Sequence, residues 1–260
     1  MNKIKQLEDI LKGYQKVAIA YSGGCDSHFL LSMALRVLGK NNVLAIICHG
    51  VMMSKEDWLS AHQLLKDVHY KEIEVDVLSI KEFRENDKKR CYFCKKTIMS
   101  KVIETAKLQG FQYVLDGQNA DDQKVYRPGI QACQELRILS PLSMCQMTKQ
   151  EIRNYSQDLQ LPTFDKPANA CLASRFDYDT LLIEDKLNQV DQAEKLLHEI
   201  GIKHVRVRVQ DQLARIEMEP SQYEVILKHH NIIQKIKDLG FRYVTLDLEG
   251  IKSGGFDRES

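Results

Sequence analysis

The spacing of apolar and polar residues changes character along the chain, and each change marks an element. Val17 to Ala20 and Val43 to Ile47 are short runs of β-branched and aliphatic residues. Each is followed by a stretch of helical periodicity, Ser27 to Leu38 and then Lys55 to Val68, and a further apolar run at Tyr113 to Leu115 ends in Asp-Gly. Strands alternating with helices in this order predict a parallel, doubly wound α/β sheet. Thr148 and Glu151 have the spacing of a capping box, so a helix opens there and closes before Pro162. Asp165 to Ser174, DKPANACLAS, carries a proline and small residues and reads as a loop.

Beyond that loop the period shifts. A helix over about Ile183 to Ile200 precedes two runs of strict alternation, His204-Val-Arg-Val-Arg-Val and Ala214-Arg-Ile-Glu-Met. Period two puts the valines on one strand face and the arginines on the other, which we expect to be wet. A last helix over Gln222 to Leu239 leads to an alternating strand in FRYVTLDLEG. The expected organisation is a sheet domain over residues 1–175 and a smaller α+β domain over 176–260.

Composition narrows the class. With 260 residues and 43% apolar content the chain can build a core without staples. No apolar run reaches the roughly 18 residues that span a bilayer, and Met1 to Gln15 is charged and helix-like rather than a signal peptide. We therefore expect a cytoplasmic protein with no membrane partner. Lysine and arginine total 37 against 36 acidic residues, so no global field favours a polyanion. Seven cysteines without an export signal predict thiols rather than structural disulfides. Cys48, Cys133 and Cys145 sit in ordinary contexts and read as packing residues.

Two motifs carry chemistry. Ser22-Gly-Gly-Cys-Asp-Ser27 lies where the first strand gives way to a helix. Exposed N–H groups and the helix dipole favour an anion at such a place, and Gly23 and Gly24 admit backbone close to a phosphate. The carboxyl edge of a parallel sheet is where these folds bind ligands. A plain strand-to-helix turn would use similar residues. No GK[ST] follows, so cleavage at a γ-phosphate is not indicated. The second motif, Arg90-Cys-Tyr-Phe-Cys-Lys-Lys96, sets two thiols three residues apart among cations expected to lower their pKa values. Cys171, in the loop before Ser174 and Arg175, can complete a set of three. Three thiolates suit a [4Fe–4S] cluster with one open iron, a zinc ion with an outside ligand, or no metal at all.

The order S-G-G-x-D-S after a strand resembles the pyrophosphate loop of the PP-loop ATPases. That resemblance implies ATP cleavage between the α- and β-phosphates, with Ser22, Gly23, Gly24, Asp26 and Ser27 cradling pyrophosphate, Asp26 helping to position Mg²⁺, and Cys25 in the variable position. Taken with RCYFCKK, DGQNADDQKVYRPG, KPANACLASRF, HVRVRVQDQLARIEM and FRYVTLDLEG, the chain resembles the LarE family of sulfur transferases over about residues 8–255. Members adenylate the carboxylates of pyridinium-3,5-biscarboxylic acid mononucleotide and insert sulfur, toward a nickel-pincer nucleotide cofactor. One branch gives up the sulfur of a single cysteine. Another holds a [4Fe–4S] cluster on three cysteines, which Cys91, Cys94 and Cys171 match.

The same resemblance suggests that Arg206 and Arg208 bind substrate phosphate or carboxylate, that Glu194 and Glu217 group near a phosphate or metal site, and that Ser174 and Arg175 steady the adenylate. Against this, alternating Arg and Glu also describe a solvated sheet face with cross-strand pairs. Asp116 can reach a nucleotide or belong to an Asp-Gly turn, and Tyr126 to Gly129 can be site or turn. The expected partners are a small nucleotide substrate, a sulfide or sulfur donor, and further copies of the chain. The alternative is a cluster-dependent tRNA 2-thiolation enzyme, which near-neutral charge does not favour. A nucleotide or metal sensor without chemistry is the non-catalytic alternative.

Overall fold

A computed structural model describes residues 2–124, 128–167 and 170–251. In chain order the elements are α1 (Lys3–Tyr14), β1 (Val17–Tyr21), α2 (Cys25–Leu38), β2 (Val43–His49), α3 (Lys55–Gln63), β3 (Tyr70–Glu74), α4 (Lys81–Arg84), α5 (Arg90–Leu108), β4 (Tyr113–Leu115), α6 (Pro128–Glu135), α7 (Pro141–Met144) and α8 (Lys149–Asp158). They continue with α9 (Glu184–Glu199), β5 (Val205–Gln210), β6 (Leu213–Met218), α10 (Tyr223–Lys228), α11 (Asn231–Asp238) and β7 (Tyr243–Leu246). No helix among the described residues is long and apolar enough to cross a membrane.

The chain folds into two compact units that are interleaved along the sequence. The first takes residues 1–50, 57–76 and 89–169, and the second takes 51–56, 77–88 and 170–260. The C-terminal boundary thus falls at 169/170, and two earlier segments between strands of the first unit join the second.

In the first unit β3, β2, β1 and β4 form, in that order, a fully parallel sheet. That is the doubly wound α/β class expected from the strand-helix alternation. β1 is apolar throughout because both its neighbours and both its faces are covered, and Val17, Ala18 and Ile19 are wholly buried. Ala18, Leu44 and Ile46 pack on Met99, Val102 and Ala106 of α5, with Phe111, Val114 and Cys133 closing the cluster. α2 buries Phe29, Leu30, Met33 and Ala34 and packs against β1, β2 and α8. Both halves of the capping box at α8 are present: Glu151 N donates to Thr148 Oγ1, and the Glu151 carboxylate accepts from Thr148 N at 2.8 Å. α3 stops at Gln63, five residues short of the expected end.

The second unit is built on a three-stranded sheet, β5-β6-β7, with β5 and β6 antiparallel and β6 and β7 parallel. The segments borrowed from earlier in the chain are stitched to it by hydrogen bonds: Leu172 N to Met52 O, Leu182 N to Arg84 O, and Asn86 Nδ2 to Asp177 O at 2.7 Å. Two sequence expectations are corrected here. The single helix over Gln222 to Leu239 is two, α10 and α11, broken at His229-His230, which with Asn231 make three weak helix formers in a row. The arginine-bearing strand face is not wet: Arg208 and Glu217 are 3% and 4% exposed. Strict alternation fixes which face a side chain takes, and paired charges in the interior satisfy it as well as hydrated ones do.

Candidate active site

The glycine loop joins the carboxyl end of β1 to α2. Gly23 has φ +70°, and a Cβ there would overlap Ala61 Cβ and stand 3.0 Å from Ala61 Cα, so α3 lies directly on this residue. Gly24 is extended (φ −83°, ψ 168°) and forms the N-cap of α2 without a side-chain cap, leaving the first N–H groups of the helix facing the loop. The hydroxyls are set by one another. Ser22 and Ser27 Oγ lie 3.0 Å apart, Ser22 N donates to Ser27 Oγ at 3.3 Å, and Ser27 Oγ donates to Gly24 O.

Asp26 stands in the first turn of α2. Its Oδ2 accepts from Lys149 Nζ at 2.7 Å and from Asn119 Nδ2 at 3.3 Å, while Oδ1 is buried and has no hydrogen-bond partner. A buried carboxylate oxygen left open beside a phosphate-binding turn suits a nucleotide-bound Mg²⁺. Asn119 holds the neighbouring loop, since its Oδ1 accepts from Asp121 N and Asp122 N. The Asp116-Gly117 pair is explained by packing: a Cβ on Gly117 would come within 2.9 Å of Ser27 N, so only glycine lets the end of β4 lie against α2. Asp116 is buried and accepts from Ser140 Oγ at 2.7 Å and Gln118 N.

Two lysines at the loop escaped sequence reasoning. Besides Lys149, Lys166 Nζ donates to Gly23 O at 3.2 Å and pairs with Asp57 Oδ1 at 3.3 Å. They follow the loop by more than 120 residues, and a lysine at a helix start or in a loop gives no signal of its own. His28, one turn into α2, contacts Tyr21 OH through Nδ1 at 2.9 Å. Its pKa is pushed down by burial and then by the charge of Lys166, and burial pushes the Tyr21 phenol well up.

The cysteines separate by environment, and all seven are thiols. Burial raises the pKa of Cys25 and Cys145, and lifts Cys48 to about 11 and Cys133 to about 12. Those four sit in packing, and Cys25 also contacts Ser156 Oγ. Cys91 is exposed and Cys94 half-buried, both in the first turns of α5, where a spacing of three puts them on one helical face. A Cβ on Gly129, at the start of α6, would stand 3.7 Å from Cys91 O. Residues 116–129 therefore begin at the glycine loop and end at the thiol pair, within one unit; Tyr126 and Arg127 lie outside the described residues. Two soft thiols on one face suit iron or zinc. Among the described residues no group of three or more His, Cys, Asp or Glu is gathered as a metal site.

In the second unit Cys171 is half-buried and precedes a single turn, Leu172–Arg175. Arg175 organises that turn: it forks onto Glu194 (2.8 and 2.9 Å) and also donates to Ala170 O and Ser174 Oγ. Glu194 Oε1 accepts from Val207 N at 2.8 Å as well. Arg208 donates to Ser174 O and, at 3.1 Å, to Glu217 Oε2, while Arg215 reaches Glu217 Oε1 and Asp247. Arg206 is directly opposite Glu217, and its pKa is lowered by burial and by Arg175 and Arg208. The five expected residues Arg175, Glu194, Arg206, Arg208 and Glu217 thus form one electrostatically connected group in which arginines outnumber carboxylates by one, a composition suited to an anion.

A glycine loop that opens a helix with Asp and Ser at the carboxyl end of a central parallel strand, with no Walker lysine, defines a PP-loop enzyme. Residues 3–105 match the family model described as NAD synthase. Over nearly their whole lengths, three proteins are similar to the chain. An uncharacterized protein of Synechocystis is 37% identical over 99% of this chain and 97% of its own. The pyridinium-3,5-bisthiocarboxylic acid mononucleotide synthase of Lactiplantibacillus plantarum is 36% identical over 94% of this chain and 90% of its own. An uncharacterized protein of Methanocaldococcus jannaschii is 30% identical over 97% and 98%. The chain belongs to the LarE family of PP-loop sulfur transferases.

Proposed function

We propose that the chain adenylates the carboxylates of pyridinium-3,5-biscarboxylic acid mononucleotide and replaces carboxylate oxygen by sulfur. The observation that carries this is the glycine loop with its open Asp26 oxygen, in a chain 36% identical to a synthase of the bisthiocarboxylic acid product. A substrate carboxylate oxygen attacks the α-phosphorus of ATP. The bond from that phosphorus to the α–β bridging oxygen breaks, and its electron pair leaves with pyrophosphate. Hydrosulfide then attacks the acyl carbon, AMP departs with the C–O electron pair, and a proton is released, leaving a thiocarboxylate.

Ser22, Gly23, Gly24 and Ser27 would hold the pyrophosphate half of ATP, and Asp26, with its buried open oxygen, would hold Mg²⁺. Arg206 and Arg208 are assigned to substrate phosphate or carboxylate, with Glu194 and Glu217 setting their positions, and Ser174 and Arg175 to the adenylate. The thiols of Cys91 and Cys94 would hold a [4Fe–4S] cluster through two of its ligands. The third ligand, Cys171, rests on the family resemblance alone. The chemistry such a cluster would supply is iron with an affinity for sulfide. A cytoplasmic enzyme working as a homo-oligomer fits this reading.

The test is anaerobic reconstitution with iron and sulfide, followed by Mössbauer spectroscopy and turnover with ATP, sulfide and the biscarboxylic mononucleotide. Multiple thiocarboxylates per chain support the reading. A single sulfur per chain, with loss of mass at Cys171, rejects the cluster as sulfur carrier. Pyrophosphate release with tRNA and none with the mononucleotide rejects the substrate.

A further inference from the structure

The pyrophosphate that leaves ATP carries about three negative charges at neutral pH, and backbone N–H groups alone hold such a leaving group poorly. Clamps of lysine, arginine or metal commonly do so. The loop motif supplies no lysine of its own. The fold brings two to it from elsewhere: Lys149, the first residue of α8, and Lys166, eight residues beyond the end of that helix at Asp158.

Both are held rather than loose. Thr148 caps α8, and Lys149 N donates to Asp121 Oδ2 at 2.9 Å, which fixes the backbone from which the side chain reaches Asp26. Lys166 N donates to Thr163 O, and its ammonium is set between Gly23 O and Asp57. The side chains are 30% and 18% exposed, so their charges are only partly screened. Each keeps hydrogen-bonding capacity. An ammonium has three donors, of which Lys149 spends one on Asp26 and Lys166 two, on Gly23 O and Asp57. The field of Lys166 also reaches into α2, where it opposes protonation of His28.

We propose that Lys149 and Lys166 bind the β- and γ-phosphates of ATP and neutralise the departing pyrophosphate, with Asp26 and Asp57 aiming the two ammonium groups at the loop. This rests on the adenylation reading above. The lysines replace, from later in the chain, the charge that a Walker lysine supplies from within the loop. Neither lysine needs to touch the α-phosphate, which stays open to the incoming carboxylate.

Calorimetric titration of ATP, inorganic pyrophosphate and AMP, each with Mg²⁺, into the full chain and into Lys149→Met, Lys166→Met and the matching arginine variants separates the possibilities. Loss of one charge-assisted contact predicts about 10- to 100-fold weaker binding of ATP and pyrophosphate. AMP, which lacks those phosphates, should bind within about twofold of wild type, and arginine should restore part of the loss. AMP binding doubles as the check on folding. If AMP weakens in parallel with ATP, or if ATP binding survives both methionine variants, the proposal is wrong and the lysines only pin helices together. Should the wild-type chain bind neither ATP nor pyrophosphate, the adenylation reading itself fails.

Discussion

Replacing Gly23 by alanine should damage the fold, and a second substitution should repair part of the damage. Two separate costs are visible at Gly23. Its φ of +70° lies in the left-handed region, where an L-residue costs about 1–2 kcal/mol. The new methyl also overlaps Ala61 Cβ, and overpacking of this kind costs about 1–3 kcal/mol. Gly23→Ala should therefore lose about 2–5 kcal/mol. Ala61→Gly alone should cost about 1–2 kcal/mol, from helix propensity and one buried methyl. The double variant removes the Cβ overlap but keeps the φ strain and the approach to Ala61 Cα at 3.0 Å. It should be more stable than the sum of the singles predicts by about 1–3 kcal/mol, the overpacking share. Urea unfolding followed by circular dichroism measures all four corners of the cycle. Strict additivity, or a Gly23→Ala loss below about 0.5 kcal/mol, would show that α3 does not press on the loop.

Three further outcomes follow from the geometry. Arg175→Met leaves the buried Glu194 carboxylate without its fork and should cost about 3–5 kcal/mol by denaturant titration; a loss under about 1 kcal/mol would mean water reaches that carboxylate. In metal-free protein, mass-spectrometric alkylation at neutral pH should mark Cys91 long before Cys25, Cys48, Cys133 or Cys145, whose thiols burial keeps protonated; early labelling of Cys133 would contradict its burial. Because the folded chain holds His28 below its ordinary 6.5, the unfolded chain takes up that proton first. The stabilisation is full above about pH 6.5 and is lost as pH falls, so His28→Gln should flatten the acid side of the stability profile, and an unchanged slope would refute it.

What could be read without coordinates was whatever is local. SGGCDS, the thiol pair and the capping box are each complete within seven residues, and the structure sets them at the start of α2, in the first turns of α5 and at the start of α8. The misread face of β5 shows the limit. Arg206 and Arg208 display their alternation in sequence, but the partners of Arg208, Ser174 and Glu217, come from a turn and another strand, and Glu217 also lies opposite Arg206. Lys149 and Lys166 were invisible for the same reason: a lysine acquires meaning from what it faces. The broken helix at His229 was legible in composition, since three consecutive poor helix formers are a fair stop signal.

Interleaving of the two units limits how this protein can be dissected or built. A fragment starting at residue 170 lacks Met52, Arg84 and Asn86, and with them acceptors for Leu172 N and Leu182 N and the amide that ties down residues 176 and 177. On a ribosome, residues 51–56 and 77–88 must wait for the rest of their unit, which starts more than 80 residues later.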